Sequence, residues 1–323
     1  MRALIVDGDR LTLGEVPTPT AGPGEVRIRV AATALNRADL LQRKGHYPPP
    51  PGASPLLGLE VSGSIDQVGA HVTGWKEGDP VCALLAGGGY AEHVVVDAGS
   101  VMAIPAGLTL ETAAAVPEAF LTAFQAIHAL GALPVGGRLL IHAGASGVGT
   151  AAIQLARLHD ATVWVTASAS KHAACRALGA HHAIDYRMEP FAERIRADTD
   201  GAGVDMIVDV VGAPYLAANV DALAMDGRLV LLGTMGGHRV ADFSLLRVLA
   251  KRVSLLASTL RNRSVAYKAH LVTAFRAHIG TAFDMGRLRP VIDRVYPWTE
   301  AEDAHARMAA NKNVGKLVLL LDR

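Results

Sequence analysis

Ile141-His142-Ala143-Gly144-Ala145-Ser146-Gly147-Val148-Gly149-Thr150 joins an apolar run, Arg138–His142, to an amphipathic one, Gly147–His159. The first run reads as a strand. The second places Val148, Ala151, Ala152 and Leu155 on one face of a helix. Glycines such as Gly144 at a strand-to-helix turn let the backbone bend tightly and approach a pyrophosphate, and Gly149 lets the helix pack close to the sheet. The helix N-terminus then offers unpaired N–H groups and a partial positive charge to the phosphates. The spacing is G-x-x-G-x-G, with Ala145 and Ser146 filling the turn. What makes it a nucleotide-binding turn is its place between a strand and a helix in an alternating region.

That region runs from about Glu118 to Ser258. After the first strand and helix come a strand over Thr162–Thr166, a helix over Lys171–Leu178 ending at Gly179, a short strand His181–Ile184 and a helix Pro190–Ala197. Then follow a largely apolar strand Val204–Val210, a helix Leu216–Ala224, a strand Arg228–Leu232, a helix Leu245–Lys251 and a strand Val253–Ala257. Strict alternation implies right-handed crossovers and a doubly wound parallel sheet, an α/β fold of Rossmann type. An NAD site has an Asp or Glu at the end of the second strand for the ribose hydroxyls. Here that strand ends Thr166-Ala167-Ser168-Ala169-Ser170-Lys171, with small hydroxyls and a base where a 2′-phosphate would sit. The cofactor expected is NADPH.

Upstream, Arg2–Val6, Glu25–Ala31, Glu60–Val68, Pro80–Ala86 and His93–Val96 read as strands separated by Pro and Gly breakers, an all-β or barrel-like unit. The tail has helices over Ser264–Ile279 and Glu300–Ala310 and strands over Val291–Val295 and Lys316–Leu320. It abandons the alternation, so it is expected to return to the first unit. Two domains follow: residues 1–118 with 260–323, and residues 119–259.

Composition narrows the function classes. Thirty-one basic against thirty acidic residues give no electrostatic reason for a nucleic-acid or anionic-membrane partner. Two cysteines, Cys82 and Cys175, build neither a disulfide framework nor a four-cysteine zinc site. Met1–Arg10 reads as a strand rather than a leader, and no apolar run reaches the roughly 18 residues of a membrane span. A cytoplasmic protein is expected.

Gly58-Leu59-Glu60-Val61-Ser62-Gly63, followed by Gly69 and Val72, resembles the signature of the medium-chain dehydrogenase/reductase superfamily. Its alcohol dehydrogenases have a zinc-ligating His where this chain has Leu59 and a zinc-ligating Cys where it has Asn36; their cysteine-rich lobe is also absent. The chain is therefore similar to the zinc-free, zeta-crystallin-like quinone oxidoreductases. Asn36–Ser54, Gly87–Gly89, Ala143–Gln154 and Asn311–Lys316 are similar to the stress-inducible quinone oxidoreductases of animals and their bacterial relatives.

The resemblance implies a GroES-like, partly open β-barrel catalytic domain beside the Rossmann domain, and no metal. It implies that Ser146, Gly147 and Val148 carry the pyrophosphate. Ser168 and Lys171 would lie at the 2′-phosphate, with Tyr186 flanking it. Thr122 would touch the nicotinamide side, and Gly233, Met235 and Gly236 would run beside the nicotinamide ribose and carboxamide. Asn313 would close over the cofactor. Asn36 and Tyr47 would line the cleft and orient the acceptor oxygen, the catalytic roles. By residue type alone, Asn313 reads as a turn cap and Tyr186 as a half-buried surface ring.

The activity implied is hydride transfer from NADPH to a quinone. An enoyl or enone reductase and a non-catalytic NADPH-binding protein are the alternatives. Glu60 reads as a partner for a nearby base, His142 as a packing residue, and Cys82 as a small buried hydrophobe. His181 and His182, adjacent on a strand, point opposite ways and cannot chelate one ion. Strand Val253–Ala257, apolar and at the sheet edge, is expected to pair with a second copy in a homodimer.

Overall fold

In the computed structural model, which describes residues Met1–Asp322, the chain forms two compact units. Met1–Leu121 together with the chain from Leu260 onward is one, and Thr122–Thr259 is the other. The first boundary falls inside a helix, a few residues beyond the expected 118/119, because a continuous helix leaves no breaker to mark it.

The chain opens with β1 (Arg2–Asp7), β2 (Arg10–Glu15), β3 (Glu25–Ala34), α1 (Arg37–Arg43), β4 (Glu60–Val68), β5 (Pro80–Leu84), β6 (His93–Asp97) and β7 (Val101–Ala103). Then come α2 (Leu110–Ala113) and α3 (Pro117–Phe124), which runs on as a π-helical turn, Gln125–Leu130. The sequence pattern leaves β2 and β7 unassigned. In β2 only Leu11 is buried, so it lacks the alternation that marks a half-buried strand. β7 has only three residues. The helical stretch Leu110–Leu130 also corrects the expectation about apolar runs. It is long and apolar enough to cross a bilayer, at mean hydropathy 1.2, but 72% of it is buried within the chain, as in a core helix.

The second unit holds β8 (Arg138–Ile141), α4 (Gly147–Arg157), β9 (Thr162–Thr166), α5 (His172–Leu178), β10 (His182–Ile184), α6 (Phe191–Asp198), β11 (Val204–Asp209), α7 (Leu216–Ala222), β12 (Leu223–Leu231), α8 (Leu245–Lys251) and β13 (Ser254–Ala257). All five pairings are parallel, in the order β10-β9-β8-β11-β12-β13. β11 is buried along nearly its whole length, and its apolar residues Val204, Met206, Ile207 and Val208 are interrupted by Asp205 and end at the buried Asp209, so the strand is not fully apolar. Strands progress outward in both directions from β8 and β11, so the topological switch point lies at the ends of those two strands.

The tail adds α9 (Val265–Ile279), β14 (Ile292–Pro297), α10 (Ala301–Ala309) and β15 (Lys316–Leu320). As expected, it rejoins the first unit: β15 pairs with β3, giving a seven-stranded sheet β14-β15-β3-β4-β5-β7, with β6 also on β3. β3 shows the cause in its pattern. Val26, Ile28 and Val30 are buried while Arg29 is exposed. The inward residues join Trp298, Tyr90, Leu317 and Leu319 in one core.

Candidate functional site

Four neighbouring strands of the parallel sheet, β9, β8, β11 and β12, deliver their carboxyl ends to one edge, where the sequence places most of the cofactor residues. After β8 the backbone turns through Ala143 at φ +53, a left-handed conformation an alanine adopts only at a cost. The Gly144 N–H donates to the Thr166 carbonyl (3.0 Å). A Cβ at Gly144 would lie 2.5 Å from the Val165 Cβ, and one at Gly149 2.4 Å from the Ala143 carbonyl oxygen. Both glycines are therefore required for the loop to lie against the strand and helix. Ser146 caps α4, its Oγ accepting from the Gly149 N–H (3.0 Å) and its carbonyl from Thr150 (2.8 Å). The Gly147 and Val148 N–H groups open the helix and have no intrahelical acceptor, which makes the turn an anion cradle at the positive end of α4.

β9 ends without a carboxylate. Ser168 precedes a single turn, Ala169–Lys171, that leads into α5, and the Lys171 N–H donates to the Ser168 carbonyl (2.9 Å). β10 lies beside β9 with Ile184 opposite Thr166, so the loop bearing Tyr186 leaves the sheet next to the loop bearing Ser168 and Lys171. Tyr186 is 44% exposed, with the Arg187 guanidinium 5.5 Å from its ring centre. Lys171 and Arg187 thus stand on neighbouring loops at the ends of β9 and β10.

Beyond β12, Met235 and Gly236 are hung on the end of β11 through N–H bonds to the carbonyls of Val210 (3.1 Å) and Val211 (2.8 Å). Gly233 lies in the same stretch, against Val210. Thr122, on the last turn of α3, belongs to this unit too.

Asn36, Tyr47 and Asn313 belong to the other unit. There Asn36 ends β3's extension and caps α1, and its amide is fully engaged. Nδ2 donates to the Ala34 carbonyl (3.2 Å) and to Glu60 Oε1 (3.0 Å), and Oδ1 accepts from Lys316 Nζ (2.6 Å). Glu60, fully buried, pairs with Lys316 at 2.7 Å, the nearby base that its reading anticipates, and accepts the Glu118 N–H at Oε2 (2.8 Å). Burial, then the neighbouring Glu60 charge, push the Glu118 carboxyl up to about 7, with Lys316 opposing. Asp39 accepts the backbone N–H of Asn36 (2.7 Å) and of Gly58 (3.1 Å), and burial raises it to about 6. An acceptor oxygen could take a hydrogen bond from Asn36 only by displacing one of these partners. The structure makes Asn36 a member of an ionic cluster rather than a free donor.

Tyr47 is half-buried, with Arg261 5.3 Å from its ring centre. Burial raises its phenol above the ordinary value, the Glu118 charge adds to this, and Arg261 counteracts it. Arg261 is 2% exposed and ties three segments together, donating to the carbonyls of Ala86 (2.7 Å) and Tyr47 (3.1 Å) and to Gln42 Oε1 (2.7 Å). Asn313 donates to the Gly315 carbonyl (2.7 Å), the turn role read from its residue type.

Lys316, Glu118 and Arg261 are the members that sequence reasoning missed. Each comes from a segment remote in the chain from Asn36, and none carries a local spacing signal. His142 is buried and hydrogen-bonded. Cys82 is fully buried on β5, its thiol pushed up to about 12. His181 Nδ1 accepts from the Val163 N–H, whereas His182 reaches Asp198.

Residues 22–106 match the alcohol dehydrogenase GroES-like domain, and residues 178–319 match a family described as zinc-binding dehydrogenase. The chain is 33% identical over 340 residues to the human synaptic vesicle membrane protein VAT-1 homolog, covering 99% of this chain and 86% of that one. Two mycobacterial structures, one complexed with NADPH and one of a quinone oxidoreductase, are each 30% identical. Their TM-scores are 0.87 and 0.85; the first alignment covers 99% of this chain and 100% of that one, the second 99% of each. The CurK enoyl reductase is also 30% identical, with a TM-score of 0.85 and 99% of both chains covered.

Proposed function

The chain belongs to the medium-chain dehydrogenase/reductase superfamily, in its quinone oxidoreductase branch, and from that premise we propose that it is an NADPH-dependent quinone reductase working without zinc. The observation that carries the proposal is the Lys316–Glu60–Asn36 cluster. At the two positions where the superfamily's alcohol dehydrogenases ligate zinc, this chain has an amide whose oxygen is held by an ammonium and a buried leucine, Leu59. Leu59 has no electron pair for a metal and the Asn36 oxygen is engaged by a cation that would repel one, so the residues do not fit a zinc ion, and the acceptor must accept hydride without a Lewis acid. Electron-poor quinones meet that condition; simple aldehydes and ketones do not.

When bound, a dihydronicotinamide supplies the hydride. Residues of the second unit bind and orient it. Gly147 and Val148 offer backbone N–H groups to the pyrophosphate. Ser168 and Lys171 favour a 2′-phosphate, with Tyr186 beside it. Thr122 and the Gly233–Gly236 segment flank the nicotinamide side, and the NADPH bound by one mycobacterial neighbour supports the cofactor. Tyr47, set by Arg261, orients the acceptor oxygen, and solvent supplies the proton. The similarity to an enoyl reductase, together with a buried carboxyl at Glu118 near neutrality, favours a second reading in which an activated alkene is reduced. Steady-state rates with NADPH and NADH across ortho-quinones, para-quinones and enoyl thioesters test both. Preference for the thioester overturns the quinone reading, and tight NADPH binding with no acceptor-dependent oxidation overturns both.

We also propose a homodimer through β13. This strand is the outer edge of the parallel sheet, with Leu255 47% exposed, and Leu245, Leu246 and Leu249 of the adjacent α8 are 68–74% exposed. An edge strand pairing with its own copy about a two-fold axis would cover both the backbone edge and these side chains.

A further inference from the structure

Beneath the nucleotide loop lies a buried polar chain that the reading above does not use. His142 is 1% exposed, edge-on to the rings of Phe191 and Tyr215, each with its centre 4.7 Å away. Its Nε2 is 2.7 Å from Asn219 Oδ1 and its Nδ1 is 3.0 Å from Thr166 Oγ1. Asn219 Nδ2 donates to Asp209 Oδ2 (2.9 Å), so the amide oxygen must face the imidazole, since the reverse orientation would set oxygen against carboxylate. Nε2 therefore carries the proton and Nδ1 accepts from the Thr166 hydroxyl. That hydroxyl oxygen in turn accepts from the Ala143 N–H (3.4 Å). Burial holds the imidazole down to about 4, so it is neutral and keeps this one tautomer.

The two ends of the chain are loops rather than core. At one end is Ala143, the residue in left-handed conformation that begins the phosphate turn. At the other, Asp209 accepts the N–H groups of Val211 (2.6 Å) and Gly212 (3.2 Å). Gly212 bridges to Gly237, and the Ala213 N–H donates to the Gly237 carbonyl (2.9 Å). That turn also holds Met235 and Gly236 through the carbonyls of Val210 and Val211. We propose that His142 is a positioning residue for the dinucleotide. Through the relay Asp209–Asn219–His142–Thr166 it sets the pyrophosphate loop and the Met235–Gly237 loop as one unit, so that the two halves of the cofactor are bound by coupled segments. The proposal rests on the NADPH reading and adds to it a specific coupling.

Thr166→Val keeps the shape of the side chain and removes the link between His142 and Ala143. Binding of NADPH, of 2′,5′-ADP and of reduced nicotinamide mononucleotide to the full chain is measured for wild type, Thr166→Val, Thr166→Ser and Leu229→Ala. Leu229 is a core residue of β12 outside the relay, so its variant shows what lost stability alone does. Thr166→Val is expected to weaken NADPH about fivefold to tenfold and to weaken both half-molecules, although the substitution touches only the phosphate end. Thr166→Ser should bind within about twofold of wild type, because the hydroxyl is restored. Leu229→Ala should lower thermal stability and leave the affinities in place. If wild type binds NADPH and Thr166→Val binds it equally well, or loses affinity for one half only, or loses no more than Leu229→Ala, the relay is overturned while the cofactor reading stands. If wild type binds no NADPH, both fall.

Discussion

Replacing Lys316 with methionine keeps most of the stem and removes the ammonium. In the folded chain that ammonium lies 2.7 Å from Glu60 Oε1 and also donates to the Leu35 carbonyl (2.5 Å) and to Asn36 Oδ1 (2.6 Å). With an effective dielectric near 20, the attraction at 2.7 Å is about 6 kcal/mol, part of which offsets the desolvation of both ions. Deleting one partner leaves the other charge buried and uncompensated, which costs about 3–5 kcal/mol. Glu60 would then keep only the Asn36 amide and the Glu118 N–H. The assay is urea unfolding followed by tryptophan fluorescence, since Trp75 and Trp298 both lie in the same unit as Lys316. Lys316→Met should lose stability in that range, and Lys316→Met/Glu60→Gln should recover most of it by removing the stranded charge. A single-variant loss below about 1 kcal/mol, or a double variant no more stable than the single, would refute the view that this cluster is held by a strongly coupled ion pair.

The Glu118 carboxyl, raised to about 7 by burial and then by Glu60, binds its proton more tightly folded than unfolded. The stability it contributes is complete below about pH 4.5 and is lost as pH rises through 7. Glu118→Gln should therefore match wild type near pH 4.5 and exceed it by about 2–3 kcal/mol at pH 8; a difference flat across that interval contradicts the assignment. Lys171→Ala should weaken NADPH by about tenfold to a hundredfold and NADH by no more than about twofold in direct titrations, and equal losses would remove the 2′-phosphate role. Leu255→Glu, on the exposed face of β13, should sediment as a monomer at micromolar concentration where wild type sediments as a dimer; an unchanged sedimentation coefficient would count against pairing through that edge.

The parallel sheet was legible because its signals are local. Each crossover needs a strand-length apolar run, a helix-length amphipathic run and a turn between them, and β8 through β13 follow that alternation, although β12 begins at Leu223, inside the stretch expected as helix. The glycine turn after β8 was legible for the same reason, since Gly144, Ser146 and Gly149 set its shape within six residues of one another. β2 and β7 escaped notice because one buries a single apolar residue and the other is only three residues long. The helical stretch through Leu130 escaped because a helix buried on most sides shows little amphipathic period.

In the unit that holds Asn36, residue types named the positions but not their state. Asn36 read as a donor waiting for an acceptor oxygen, and it is instead saturated by Lys316, Glu60 and Ala34.

Sequence alone thus determined the fold class, the glycine turn after β8, the lack of an acid at the end of β9 and the presence of Asn36 and Leu59, because each is a property of neighbours in the chain. Only the tertiary structure decided what surrounds them. Lys316 meets Asn36 across 280 residues, and Arg261 reaches Tyr47 across 214. His142, which reads as packing, is the middle of a relay whose links come from β9, α7 and β11. Hydrogen bonds and ion pairs act over about 3 Å whatever the distance along the chain, and burial makes each of them decisive, so their partners are set by folding rather than by spacing.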